Sequence, residues 1–172
     1  MGTSSTIEHQ TRRLLVALPQ PYEEAVTVYE KLVPPVDPAA FAQAGSWNEV
    51  LEIAALTAPH GFMCYYRSDI GAAMAGSPSK GRATQYLMGN HTIAERMFRH
   101  DPAVMLHAPL RTLVFVGPDG GTTFAVDQPS LMFGSFNDPI VTAVGRELDS
   151  LLATLIRLLG GQVPQELIGE NE

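Results

Sequence analysis

The sequence predicts an α+β domain, a mainly antiparallel sheet covered on one face by helices, and two stretches carry that prediction. Asp138 to Leu159 sets Val141, Val144, Leu148, Leu151, Leu152, Leu155, Ile156 and Leu159 at three- and four-residue spacing. That is the stripe of a helix that must bury one side against something apolar. Leu110 to Val116 and Thr122 to Val126 flank Gly117-Pro118-Asp119-Gly120-Gly121, the pattern of a β-hairpin with a five-residue loop. Strands joined by hairpins are antiparallel neighbours, and the long helix needs one face of their sheet.

The remaining elements follow in order. Leu14 to Leu18 is a short apolar run stopped by Pro19, a first strand. Tyr22, Ala25, Val26, Tyr29, Leu32 and Val33 then recur at helical spacing until Pro34-Pro35. Pro34 to Gly45 reads as a loop with a helical turn. Ser46-Trp47-Asn48-Glu49 is a capping box, in which the serine oxygen accepts from the glutamate amide while the glutamate reaches back. It opens a helix with Trp47, Val50, Leu51, Ala54 and Ala55 on one side, ended by Pro59-His60-Gly61. Phe62 to Ser68 and Arg82 to Met88 are strands separated by the turn-forming Gly76 to Gly81. Asn90 to His100 is helical, with Ile93, Ala94, Met97 and Phe98 on one side and a second capping box at Thr92 to Glu95. Asp138 caps the last helix, Pro139 is its first residue, and Gly160-Gly161 closes it.

Composition bounds the function. The length of 172 residues fits one domain, here residues 12–161, with 1–11 a flexible N-terminus and 162–172 an acidic C-terminal tail. A share of 45% hydrophobic against 17% charged residues describes an ordinary folded core. The net charge of −7 opposes nucleic acid as a partner, and Arg12-Arg13 is the only basic pair. Charges interrupt the apolar runs, so no membrane span is expected. The lone Cys64 makes no internal disulfide, and the first ten residues lack the order of a secretion signal. A cytoplasmic location is the expectation.

The segment Tyr86-Leu87-Met88-Gly89-Asn90, then Ala94 and Met97, Asp101-Pro102 and Pro109-Leu110-Arg111, together with Val126-Asp127-Gln128-Pro129 after the hairpin, resembles the domain-of-unknown-function 302 family of small bacterial proteins. The resemblance runs from about Gly61 to Leu159. It implies a TATA-box-binding-protein-like fold, β-α-β4-α, with the Ser46 helix counted as an insertion. It implies no activity.

The candidate chemistry is sparse. Gly89-Asn90-His91-Thr92 opens a helix, where amides and the helix dipole favour an anion and His91 adds a donor; the alternative is that Asn90 or Thr92 merely caps. Arg111 shares a strand face with Leu113 and Phe115 and must lie at the sheet's edge or find an acid; Asp127 on the paired strand is the expected partner, and a clamp for a ligand carboxylate or phosphate is the alternative. The five histidines show no metal-ligand spacing, and neither metal nor cofactor is expected. Gly134-Ser135-Phe136 lacks a nucleophile elbow, and Cys64 among Phe62, Tyr65 and Tyr66 reads as a buried, inert thiol. Methionines and aromatics punctuate the centre, and Leu131 to Phe136 reads as the apolar lip of a groove between sheet and long helix.

The candidate ligand-binding set is therefore Tyr86, Asn90, His91, His107, Arg111 and Asp127. Three functions remain open. The first is a binding or oligomeric module for a small, partly apolar, optionally anionic ligand. The second is a small enzyme using His91 or His107 with Asp127 as orienting acid. The third is self-association, as a homodimer, through a sheet edge or residues 131–136.

Overall fold

The computed structural model describes residues 2–169, so Glu170 and Glu172 of the acidic tail lie outside the described residues. Strand β1 (Arg13–Leu18) is followed by helix α1 (Tyr22–Leu32), short α2 (Pro38–Ala42) and α3 (Trp47–Thr57). Strand β2 (Met63–Asp69) leads through a single helical turn, α4 (Ile70–Ala73), into β3 (Ala83–Gly89). Helix α5 (His91–Phe98) and a 3-10 turn (Pro102–Leu106) connect to the hairpin β4 (Leu110–Val116) and β5 (Thr122–Asp127). Helices α6 (Pro129–Gly134) and α7 (Pro139–Leu158) complete the main body. The strands form one antiparallel sheet in the order β1-β5-β4-β3-β2, so the fold is α+β with the β-α-β4-α order.

β1 and β2 are the two edges, and the chain between them must cross the whole sheet. Residues 19–21 make most of that crossing, since Tyr22 at the start of α1 already reaches Thr84 of β3. Helix α1 lies on one face over β3 and β4, burying Ala25 and Tyr29. Its tyrosines meet threonines that point inward from the sheet. Tyr29 Oη is 2.8 Å from Thr112 Oγ1, and Tyr22 Oη is 2.6 Å from Thr84 Oγ1. Both threonines are buried, and these contacts satisfy hydroxyls that would otherwise cost free energy.

Helix α7 covers the rest of the same face. Asp138 accepts from the amides of Ile140 and Val141 at its N-cap. Gly160 ends it with φ of 81°, a left-handed conformation suited to glycine. The expected stripe is present, with Leu151 only partly buried and with Gly145, Asp149 and Ala153 buried beside it, Asp149 the one charged member. Asp149 accepts from the Ser130 amide and from Gln128 Nε2, both at 2.9 Å, and so fastens the start of α6 onto α7. That contact explains why residues 129–134 fold as a packed helix. Met132 and Phe133 are buried, which withdraws the 131–136 segment from the role of an open self-association surface. The sheet edges are also partly occupied: Cys64 of β2 bridges to the Pro34–Val36 backbone, and Gly161 packs on Val16 of β1. Among the described residues no helix is long and apolar enough to cross a membrane.

Leu152 is fully buried and Leu158, on the same helix, is 44% exposed. Leu152→Ala is expected to lower the urea-unfolding free energy by about 2–5 kcal/mol, and Leu158→Ala by well under about 1 kcal/mol. Equal effects would mean that α7 does not lie on the sheet.

Candidate functional site

Two helices cannot cover five strands completely. At the end of the sheet where β3 runs out, the gap is closed by α5, the 3-10 turn, α6 and α7, and a cavity of about 200 Å³ remains between them. Its depth is apolar: Phe62, Met97, Leu110, Phe133 and Leu148 are buried there, with Ile93 and Ala94 beside them. Its open side carries Tyr65, Asn90, His91 and the half-exposed Met105. Among the described residues no charged side chain lines it.

The polar rim is built by a β-bulge. Pairing of β2 with β3 slips between Cys64 and Tyr66, which leaves Tyr65 unpaired and turns its ring toward the start of α5. Tyr65 Oη accepts the His91 backbone N–H at 3.0 Å and lies 2.7 Å from His91 Nδ1. Burial pushes the Tyr65 hydroxyl up and the His91 imidazole down from their ordinary values. The phenol therefore keeps its proton and the ring stays neutral. Having accepted the amide, the phenol donates to Nδ1, which assigns the imidazole proton to Nε2. His91 is thereby a neutral hydrogen-bond donor, wedged edge-on against Phe41 at a ring separation of 4.3 Å.

Asn90 acts as the N-cap of α5. Its side chain accepts from the Thr92 amide at 3.0 Å and from the Thr92 hydroxyl, and its amide nitrogen donates to Gly61 O. The expected Thr92–Glu95 box does not form, because the N-cap is Asn90 and the helix starts two residues earlier than that box requires. The first-turn amides are occupied: His91 by Tyr65, Thr92 by the Asn90 side chain, Ile93 and Ala94 by the Asn90 carbonyl. No free amide is left to cradle an anion there.

The other sequence candidates lie elsewhere. Arg111 points to the opposite face of the sheet from the cavity, since Leu110, Thr112 and Val114 are the inward residues of β4. Asp127 pairs with Arg13 at 3.5 Å and not with Arg111 as expected, because β1 adds itself beside β5 and brings Arg13 into register with it. Tyr86 is buried under α1, stacked on Tyr29, with its hydroxyl donating to Glu30 at 2.9 Å. His107 sits edge-on to Phe133, Phe136 and His9 outside the cavity wall. Asp127 contacts neither His91 nor His107, so the aspartate-assisted acid–base arrangement is not formed. Of the six candidates the cavity gathers Asn90 and His91.

The sequence reading missed Tyr65, Met105, Phe133 and Leu148 as site residues. Three of them had been noticed as aromatic, methionine or lip residues; only the bulge and the α6–α7 contact bring them together. Cys64 is half-buried with its thiol pushed up by burial, as an inert cysteine would be. Among the described residues no three His, Cys, Asp or Glu side chains gather as metal ligands.

A family model described as "Domain of unknown function DUF302" matches residues 45–158. The matched span takes in α3, which the sequence reading had set apart as an insertion, and begins after β1 and α1. The crystal structure of an uncharacterized conserved protein DUF302 from Bacillus stearothermophilus is similar, with a TM-score of 0.64 and 15% identity over 86% of this chain and 97% of that one. At this identity the likeness shows the fold alone. No curated protein matches.

The rim makes stability depend on pH in a stated direction. His91 is ordinarily half-protonated near pH 6.5 and titrates lower in the fold, so the unfolded chain binds more protons in between. Stability is present above that ordinary value and is lost as pH falls below it. His107, lowered by burial and by His9, adds a second contribution of the same sign. Urea titrations from about pH 7 to about pH 5 should show a smaller slope in His91→Gln than in the parent chain. Tyr65→Phe, which strands the His91 amide, should cost about 1–2 kcal/mol. An unchanged slope in His91→Gln would refute the buried, neutral imidazole.

Proposed function

Because the chain belongs to the DUF302 family, whose description carries no activity, we propose from its geometry that it is a small-molecule-binding module for a neutral, largely apolar ligand carrying one hydrogen-bond acceptor. The observation that carries this reading is the apolar cavity of about 200 Å³ with His91 and Asn90 in its lining and, among the described residues, no charged side chain in its walls; the reading takes the free Nε2–H of His91 as the donor a ligand would meet. Drug-sized ligands occupy roughly 300–1,000 Å³, whereas a dry apolar cavity of ~150 Å³ accepts benzene. The size therefore favours a single ring with a small substituent, or a short aliphatic chain. Charge argues against an anion: a carboxylate inside would lose its hydration with no cation and no free amide to replace it. A carbonyl or hydroxyl oxygen would need only the one donor.

The test is a melting-temperature screen against single-ring and short-chain compounds bearing a carbonyl or hydroxyl, alongside their carboxylate and ammonium counterparts. A neutral ligand at ~100 times its Kd stabilises by about 2.7 kcal/mol, a rise of roughly 5–10 °C for a chain of this size. Ala94→Phe, which places a ring in the cavity, should abolish the rise. Carboxylates outperforming neutral compounds would overturn the uncharged-ligand reading, and a screen with no response at all would overturn the binding reading.

A further inference from the structure

The face of the sheet turned away from α1 and α7 carries an unusual set of residues. An antiparallel sheet with one solvated face normally alternates apolar inside with polar outside. Here β4 breaks that rule: besides its inward residues it presents Leu113 and Phe115 outward, with only Arg111 as a polar member. The strand register extends the patch. Leu113 lies beside Ala125, which lies beside Leu15, and Leu15 is 62% exposed. A groove of about 480 Å³ runs over these strands. Among the described residues no helix fills it; α2 and α3 pack around Met63 and Tyr65 at one corner only.

Charges on this face have a definite arrangement. Thr112 pairs with Val126, so one step along the ladder sets Arg111 next to Asp127, and Arg13 stands on the far side of Asp127. Asp127 is engaged by Arg13, and Arg111 has no carboxylate within ion-pair distance among the described residues. Consider a second copy of the chain laid face to face, related by a two-fold axis that runs parallel to the strands between β4 and β5. That operation exchanges the β4 and β5 columns. Each Arg111 then faces the Asp127 of the other copy, twice by symmetry, while Leu113 meets Ala125 and Phe115 meets Thr123. The same axis does not set like charges opposite each other, because Arg13 falls over the Leu87 column. An isologous contact requires a self-complementary surface, and this face is one.

We infer that this outer sheet face is the contact surface of a homodimer, centred on the β4–β5 hairpin and keyed by reciprocal Arg111–Asp127 pairs. Its size sets its strength. Four strands at ~4.8 Å by six residues at ~3.4 Å give a footprint of roughly 400 Å², below the ~800 Å² per partner of a standard interface. The dimer is consequently weak and concentration-dependent, and salt weakens it further.

Sedimentation equilibrium of the full chain across a wide concentration range tests this directly. The expected result is a reversible shift from 18.6 kDa toward twice that mass. Arg111→Asp, which opposes two acids across the axis, should raise the dissociation constant at least about tenfold, and Leu113→Glu should do the same. The double variant Arg111→Asp with Asp127→Arg restores the reciprocal pairs and should recover most of the loss; a role confined to folding would show no such recovery. Circular dichroism melts of each variant establish that it is folded. A chain that stays monomeric at its highest soluble concentration overturns the inference. So does a dimer indifferent to Arg111→Asp and Leu113→Glu, which must use another surface. Neither result bears on the cavity, which belongs to the opposite side of the sheet.

Discussion

The structure depends on one constraint: the sheet has a single face on which α1 and α7 both lie, and everything else is fitted around that layer. Leu152, Leu155, Ile156 and Leu159 are fully buried in it, each contributing about 1.5–3 kcal/mol relative to exposure. That gain would be eroded if the inward threonines of β3 and β4 went unpaired. The tyrosines of α1 remove the difficulty, since each brings a large apolar ring and a hydroxyl that ends on a threonine. Helix α1 is thus held in position along its axis as well as pressed onto the sheet.

The cavity is a consequence of the same layer. Where α1 and α7 stop short of the sheet's end, smaller elements close the gap, and the residues they bring are small at the critical places. Gly89 at the end of β3 has Pro109 so close that an added Cβ would lie 3.2 Å from the proline ring. Ala94 and Ala108 leave their share of the wall unfilled. Larger side chains there would have packed the space shut, as cores normally do. The polar atoms at the opening, His91 Nε2 excepted, are engaged with one another or with Gly61 and Thr92, which holds Tyr65, Asn90 and His91 in fixed positions. A fixed donor at the mouth of an apolar space loses little conformational freedom on binding.

Much of the fold was legible because the signals were local. The stripe from Val141 to Leu159, the Gly117–Gly121 loop and the Ser46–Glu49 box each depend on residues a few positions apart. The Ser46 oxygen accepts from the Glu49 amide as expected, while the Glu49 carboxylate reaches the Gly45 amide. The site was only partly legible, because its determinants are not local. Asp127 was assigned to Arg111 on cross-strand proximity, but Arg13, over a hundred residues earlier, occupies the other neighbouring strand and takes it. Tyr65 reaches the cavity through a bulge that no alternation pattern announces. Asp149 carried no signal in the apolar stripe, because its partners, Ser130 and Gln128, are brought to it only by α6. His91 and Asn90 were found because a cap and its neighbours are adjacent in sequence.

The bulge in β2 is where the cavity and the outer face of the sheet come nearest in the chain. Tyr65 faces the cavity rim, while Tyr66, its neighbour, pairs with Leu87 on the outer face. Coupling between sites requires an element with two arrangements that both sites bias. The bulge is held from both sides: Cys64 is tied to the Pro34–Val36 backbone on one edge and to Met88 on the other. The strands that carry the outer patch, β1, β5 and β4, contribute to the cavity only through Leu110 at its wall. A ligand contacting α5 and α6 has no differential contact with that patch. The proposed binding in the cavity and the proposed self-association on the outer face would therefore be energetically separate, one placed at the end of the sheet's covered side and the other on its bare side.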